Sequence, residues 1–212
     1  MVDRPGTGER TYLAVKSHLL SESRLRPGER IDVADLARRF VASATPIRAA
    51  LHRLAGERLL TSHQGEGFSM PRVTEPGLAD LYQWNAALLV NAARAAPEGP
   101  PITALPPLED QPIRTLEELF ASLAARSGNV EVEWAVAGAN DRLHRARCVE
   151  LDLIPEFIDE TREMSRLVSE GAPAAVRQAL VAYHRRRLRL VARITHRLHG
   201  LDDRDLRPRP AE

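Results

Sequence analysis

Apolar and polar positions divide this chain into a short mixed segment and a longer helical one. In residues 43–54, Ile47, Ala50, Leu51 and Leu54 fall at i, i+3, i+4 and i+7 and share one helix face; Ala44, Thr45, Arg48 and His52 lie on the opposite side. Ser43 stands where an N-cap belongs, and Pro46 sits in the first turn, whose amides have no intrahelical acceptor. Upstream, Tyr12, Val15, Leu19 and Leu20 trace a first helical stripe, which Arg26-Pro27-Gly28-Glu29 ends with turn chemistry. Asp32, with Asp35 three residues on as an approximate capping box, opens a second helix that buries Leu36 and Phe40. Downstream, Leu59–Ser62 and Phe68–Met70 predict two short strands joined by the turn His63-Gln64-Gly65-Glu66-Gly67. Three helices and a hairpin predict a winged helix-turn-helix. Its third helix offers Thr45 and Arg48 as a helix entering the DNA major groove would.

From Gly77 onward the period is helical. Leu78, Leu81, Tyr82, Leu88 and Leu89 predict a helix ending near Ala96. Six prolines between residues 97 and 113 (Pro97, Pro100, Pro101, Pro106, Pro107, Pro112) exclude a helix there. Leu116, Leu119, Phe120 and Leu123 mark the next helix. Another runs from Val130 to Glu150 with Trp134, Leu143 and Ala137 inward, one covers Pro155–Ser169, and the last runs from Pro173 to His199. The expected fold is therefore mainly α. A winged helix-turn-helix occupies residues 1–72, a linker 73–76, an all-α bundle 77–200 and a flexible tail 201–212.

Composition narrows the class. Hydrophobic residues make up 43% and charged residues 28% of 212, enough for two domains with real cores and without an apolar run of membrane-span length. No secretory leader is expected, and Cys148 as the sole cysteine fits a reducing cytoplasm. Residues 1–75 carry 12 Lys+Arg against 9 Asp+Glu (+3), and residues 76–212 carry 18 against 20 (−2), a mild bias in the direction DNA binding needs. No Ser/His/Asp arrangement, Cys/His pair or phosphate loop points to an enzyme.

One ordered set of motifs makes the first domain specific: Pro27-Gly28-Glu29-Arg30-Ile31, Asp35-Leu36-Ala37, Ser43-x-Thr45-Pro46-Ile47-Arg48, Arg53-Leu54 and Gly65-Glu66-Gly67-Phe68. Together they resemble the DNA-binding domain of the GntR family of bacterial transcription regulators. Where that family usually has arginines this chain has Ala34 and Ala44, and where it has a turn glycine this chain has Val41, a residue type that resists a left-handed backbone. The resemblance implies double-stranded operator DNA as partner, read by Ser43, Thr45, Arg48, His52, Gln64 and Gly65, with Arg24, Arg26, Arg38 and Arg53 as weaker phosphate contacts. The missing arginines leave a rival reading open: a small-molecule-binding or protein-interaction module with degenerate DNA recognition.

The helical segment resembles the FCD type of effector domain through Leu78-Ala79-Asp80-Leu81-Tyr82, Ala137–Leu143 and Glu170–Val176 followed by Ala179–His184. That resemblance implies a homodimer and a small-molecule effector, often a carboxylate, for which Arg142, Arg145, Thr161 and His184 are the candidate contacts. It also implies a divalent-metal set of one Asp and three His. Here only His184 is kept; the other positions fall at Ser127, Glu131 and Thr161. His184 with Glu131 makes two ligands where a transition metal needs three or four, so no cofactor is expected. The run His184-Arg185-Arg186-Arg187-Leu188-Arg189 is expected to form the polar face of a long amphipathic helix.

Overall fold

The computed structural model describes residues 6–21, 25–95 and 105–201. It divides into two compact units, residues 1–73 and 74–212. Arg24, the tail beyond Leu201 and residues 97–104 of the proline-rich segment lie outside the described residues.

The first unit contains α1 (Thr7–Ser21), β1 (Arg30–Ile31), α2 (Val33–Arg39), α3 (Ala44–Gly56), β2 (Thr61–His63) and β3 (Gly67–Ser69). Tyr12, Val15 and Leu19 of α1, Leu36 of α2 and the predicted stripe Ile47, Ala50, Leu51 and Leu54 of α3 meet in one core with Phe68 and Met70. Asp32 caps α2 by accepting from the amides of Ala34 (2.8 Å) and Asp35 (3.2 Å). Asp35 does not complete a capping box; its carboxylate takes Arg38 at 3.0 Å. Ser43 occupies the N-cap position of α3 with an extended backbone, but its hydroxyl makes no cap hydrogen bond, contrary to expectation.

The hairpin is joined by a third strand that periodicity missed. The β1 pair is two residues long, too short for alternation to register. It aligns Arg30 with Ser69 and Ile31 with Phe68, giving the order β1-β3-β2. Gly28, at φ +83°, donates its amide to Met70 O at 3.0 Å and so turns the chain into this edge. Val41, between α2 and α3, adopts φ +49° with its side chain 95% exposed, so a β-branched residue occupies the left-handed turn directly before α3.

The second unit is five helices: α4 (Glu75–Ala95), α5 (Pro112–Arg126), α6 (Val130–Leu153), α7 (Phe157–Ser169) and α8 (Pro173–Leu198). Thr74 starts α4 two residues before the predicted start: its hydroxyl accepts from Gly77 N at 3.2 Å. Pro112 and Pro173 open α5 and α8 in the first turn, where a missing amide costs nothing, so residues 112 and 113 are helical despite the proline-based expectation. Leu88, Leu89, Leu116, Leu119, Phe120, Val136, Phe157, Met164, Leu180 and Tyr183 fill the core between the helices.

In α6 the predicted facing was wrong by part of a turn. Trp134 is 68% exposed and Ala137 is exposed, while Val132, Val136, Ala139 and Leu143 point inward. That inward set has the i, i+4, i+7, i+11 spacing of one face; the large indole drew the predicted phase away from it. Among the described residues, no helix is long and apolar enough to cross a membrane.

Candidate nucleic-acid interface and buried polar cluster

Burial of Ile47, Ala50, Leu51 and Leu54 fixes which face of α3 is left open. That face carries Ser43, Ala44, Thr45, Arg48, Ala49 and His52, all exposed. Because Ser43 leaves the first amides of α3 uncapped, the helix N-terminus presents free N–H groups and the positive end of its dipole. Arg48 has no counter-ion among the described residues, nor do Arg39 at the end of α2 and Arg72 after the wing. An unpaired guanidinium is available to a phosphate or a guanine edge without first breaking an ion pair.

The wing tip is formed by Gln64 and Gly65, both exposed, with Gly65 at φ +73° and Gly67 at φ +94°. Arg30 of β1 pairs with Glu66 at 3.0 Å, and His63 Nε2 lies 2.9 Å from Ser69 Oγ, so the hairpin is tied at its base and near its tip.

Three of the sequence-derived contacts are spent internally. His52 stacks edge-on against Phe68, ring centres 4.8 Å apart, which joins α3 to β3. Arg53 donates to Glu9 at 2.6 Å, reaches Glu57 at 3.3 Å and lies 3.5 Å over the Tyr12 ring. Tyr12 in turn donates to Glu57 at 2.8 Å, so Arg53 is a brace between α1 and α3. Arg38 is held by Asp35, as above.

In the helical unit the predicted effector residues lie at different depths, Thr161 and His184 buried and Arg142 and Arg145 half-buried. Glu131 is exposed in the first turn of α6, whereas His184 is 2% exposed in the bundle, so the two cannot share a metal. Among the described residues, no group of three or more His, Cys, Asp or Glu side chains could hold one. Thr161 is buried but donates its hydroxyl to Phe157 O at 2.9 Å. Arg142 and Arg145 are half-buried on α6 and are engaged elsewhere.

What the bundle does gather is a charged cluster that sequence reasoning did not single out, and whose Arg187 it placed on a polar face. Arg147, Arg187 and Glu150 are fully buried. Glu150 accepts from Arg187 Nε at 2.9 Å, from Tyr183 at 3.3 Å and from Tyr82 through a short bond. Arg187 also donates to Glu160 at 2.6 Å, and Arg147 to Glu117 at 3.0 Å. Burial, then the Glu150 carboxylate, pushes the Tyr183 hydroxyl up to about 12 and Tyr82 well above its ordinary value, so both stay protonated donors. His184 Nδ1–H donates to Leu180 O at 2.8 Å, and Nε2 meets the side-chain amide of Asn85 at 2.9 Å. Burial, with Arg147 and Arg187 nearby, lowers His184 to about 4 and keeps it neutral. His144, by contrast, lies against Cys148 and 3.1 Å from Glu117, which hold its imidazolium up to about 10.

The run 184–189 is therefore split, with His184 and Arg187 inside and Arg185 and Arg189 out. The signal was present: Val176, Leu180, Tyr183 and Arg187 continue one stripe at i, i+4, i+7 and i+11, and Leu143, Arg147 and Glu150 do the same in α6. Charge type overrode phase in the prediction.

Residues 7–70 match the profile of the family described as bacterial regulatory proteins, gntR family. The Nta operon transcriptional regulator of Aminobacter aminovorans is 32% identical over 140 residues, covering 59% of this chain and 66% of its own length. The HTH-type transcriptional regulator McbR of Escherichia coli K12 is 29% identical over 136 residues, covering 60% and 58%. The chain thus aligns with less than two-thirds of the length of these relatives. The solved structure of E. coli McbR/YncC matches 90% of this chain and 99% of its own with TM-score 0.63 at 16% identity. A putative GntR transcriptional regulator from Rhodococcus sp. RHA1 matches 88% and 96% with TM-score 0.69 at 15% identity. At such identities the two structures establish the fold: a gntR-type winged helix followed by a helical unit.

Proposed function

We propose, with a gntR-family winged helix at residues 7–70 as the premise, that this chain is a cytoplasmic, homodimeric transcription regulator that binds operator DNA and responds to a small molecule. The observation that carries the reading is the open face of α3. Its apolar side is locked into the core, and Thr45 and Arg48 stand exposed near an uncapped helix N-terminus. A helix so anchored places its first turns in the major groove, with Arg48 able to take a guanine edge and the free amides a phosphate. Gln64 and Gly65 at the wing tip are suited to the adjacent groove or backbone. His52 and Arg53 act indirectly, by fixing the wing and α1 against α3.

The small-molecule response is assigned to the helical unit, whose interior holds polar groups well beyond what an apolar bundle needs. Ligand there would shift the spacing of two winged helices in a dimer and so their match to two half-sites. Selection of duplexes from a random library by the full chain tests the reading: enrichment of a two-fold-symmetric sequence supports it, and binding with no sequence preference at any salt concentration refutes operator recognition.

A further inference from the structure

Two faces of the helical unit each carry what the other lacks. The first is a groove between α4 and α8. No acidic residue lies in α8, so neighbouring helices supply its counter-ions: Glu150 and Glu160 take Arg187, and Glu156 and Glu160 take Arg186 at 2.8 and 2.9 Å. The outward side of α8 is not served in this way. Arg177, Arg185 and Arg189, with Arg94 near the end of α4, have no partner among the described residues. Arg94, Arg177 and Arg185 line a groove of about 390 Å³, against an apolar wall of Val90, Val181 and Ala182. Beyond Arg185 a second groove carries the basic surface on to Arg189.

The second face is the first two turns of α6. Val130 and Trp134 lie one turn apart on it, 51% and 68% exposed. After Val41, Trp134 is the most exposed large apolar side chain among the described residues. Glu131 and Glu133 flank the indole, and their carboxylates have no partner among the described residues. On the next turn, Ala137 and Gly138 are too small to cover the ring. The result is an apolar ridge edged with unpaired acid.

An indole has roughly 150–250 Å² to bury, and an apolar surface rimmed with charge marks an interaction site. The ridge and the groove match in both respects. Apolar surface meets apolar surface, and free carboxylates meet free guanidiniums, which take them side-on. A nucleic-acid backbone would satisfy the arginines but leave the Val181 wall uncovered. Both faces are open within one chain, so the chain does not fill its own groove. It does carry, in equal amount, the face that fits.

We propose that a second copy of this chain sets its α6 ridge, Val130, Glu131, Glu133 and Trp134, into the α4–α8 groove. The contact joins unlike faces and so goes beyond the homodimer proposed above: a copy whose groove is filled still has a ridge to offer.

Sedimentation equilibrium of the full chain over a concentration series, at low salt and at about 0.5 M salt, tests it. Expected is a mass that rises with concentration, and rises less at the higher salt. Arg177→Glu/Arg185→Glu and Glu131→Arg/Glu133→Arg each set like charges face to face, and each should weaken association by about tenfold or more. An equimolar mixture of these two variants should associate again, because each ridge then meets a groove of opposite charge on the other protein. Trp134→Ser should also weaken association, with Tm unchanged in every variant. Overturning results are a mass independent of concentration, variants that associate as the wild type does, or a mixture that stays apart. DNA binding lost by Arg177→Glu/Arg185→Glu at unchanged mass would give these arginines to phosphate and would also overturn the proposal. A constant dimer in every protein tested refutes this contact and leaves the homodimer standing; a wild type that is monomeric throughout refutes both.

Discussion

Arg187 Nε and Glu150 Oε2 lie 2.9 Å apart with both side chains at zero exposure, so α6 and α8 are joined by an ion pair inside the bundle. Such a pair adds little net stability when whole, because desolvation offsets attraction, but removing one partner strands a buried charge. Glu150→Ala should therefore destabilise the helical unit by about 3–5 kcal/mol. Urea denaturation followed by helical circular dichroism measures it; a loss under about 1 kcal/mol, the range of exposed pairs, would show that water reaches the pair.

His184 makes stability depend on acid. Its folded value, about 4, lies below the ordinary 6.5. The unfolded chain thus takes up a proton first, and stability is fully present above pH 6.5 and falls as pH drops toward 4. The loss over that interval amounts to about 3 kcal/mol. His144 works in the opposite sense: held up to about 10, its contribution is complete below pH 6.5 and fades as pH rises toward 10. Unfolding free energies at pH 7.0 and 4.5 should differ markedly less in His184→Gln than in the wild type. Equal pH dependence in both would show that His184 is not the group responsible.

Val41 holds a left-handed backbone with a side chain that touches little, at 95% exposure. Val41→Gly removes the strain without losing packing, and should stabilise the first unit by about 1 kcal/mol after the entropy that glycine adds to the unfolded chain. A midpoint unchanged or lowered in guanidinium unfolding would contradict this.

Most of the first unit was legible in the sequence, because its cues are local. The α3 stripe, the Asp32 cap and the Gly28 turn each act within a few residues. The β1 strand was not, since it owes its place to Phe68 and Ser69, some forty residues on. The open face of α3 was also readable, but the roles of His52 and Arg53 were not: Phe68, Glu9 and Tyr12 claim them through tertiary contacts. In the bundle, Arg187 stood in register with the core and was assigned to the polar face for its charge, and Arg147 and Glu150 were not singled out. A buried charge needs partners from other helices, and Glu117, Tyr82 and Glu160 are 30, 68 and 27 residues away from the groups they pair with.

Ala44 is exposed at the first position of α3 and carries no side-chain hydrogen-bond donor. Ala44→Arg adds a side chain able to pair with a guanine, and should tighten binding to a duplex selected for the variant by roughly 5- to 150-fold over the wild type on its own selected duplex. Fluorescence anisotropy at fixed salt reads the change. Specific binding that appears only in Ala44→Arg would mean that the natural chain has lost operator recognition.

The reading of α3 as the DNA-reading helix is tested most directly by Arg48→Ala, because Arg48 is exposed and has no counter-ion among the described residues. Its loss should leave Tm unchanged. Anisotropy titrations of wild type and variant against the selected duplex and a scrambled one should show specific affinity falling roughly 5- to 150-fold, with non-specific affinity reduced far less. Specific binding retained at wild-type strength in a folded Arg48→Ala protein would contradict the account.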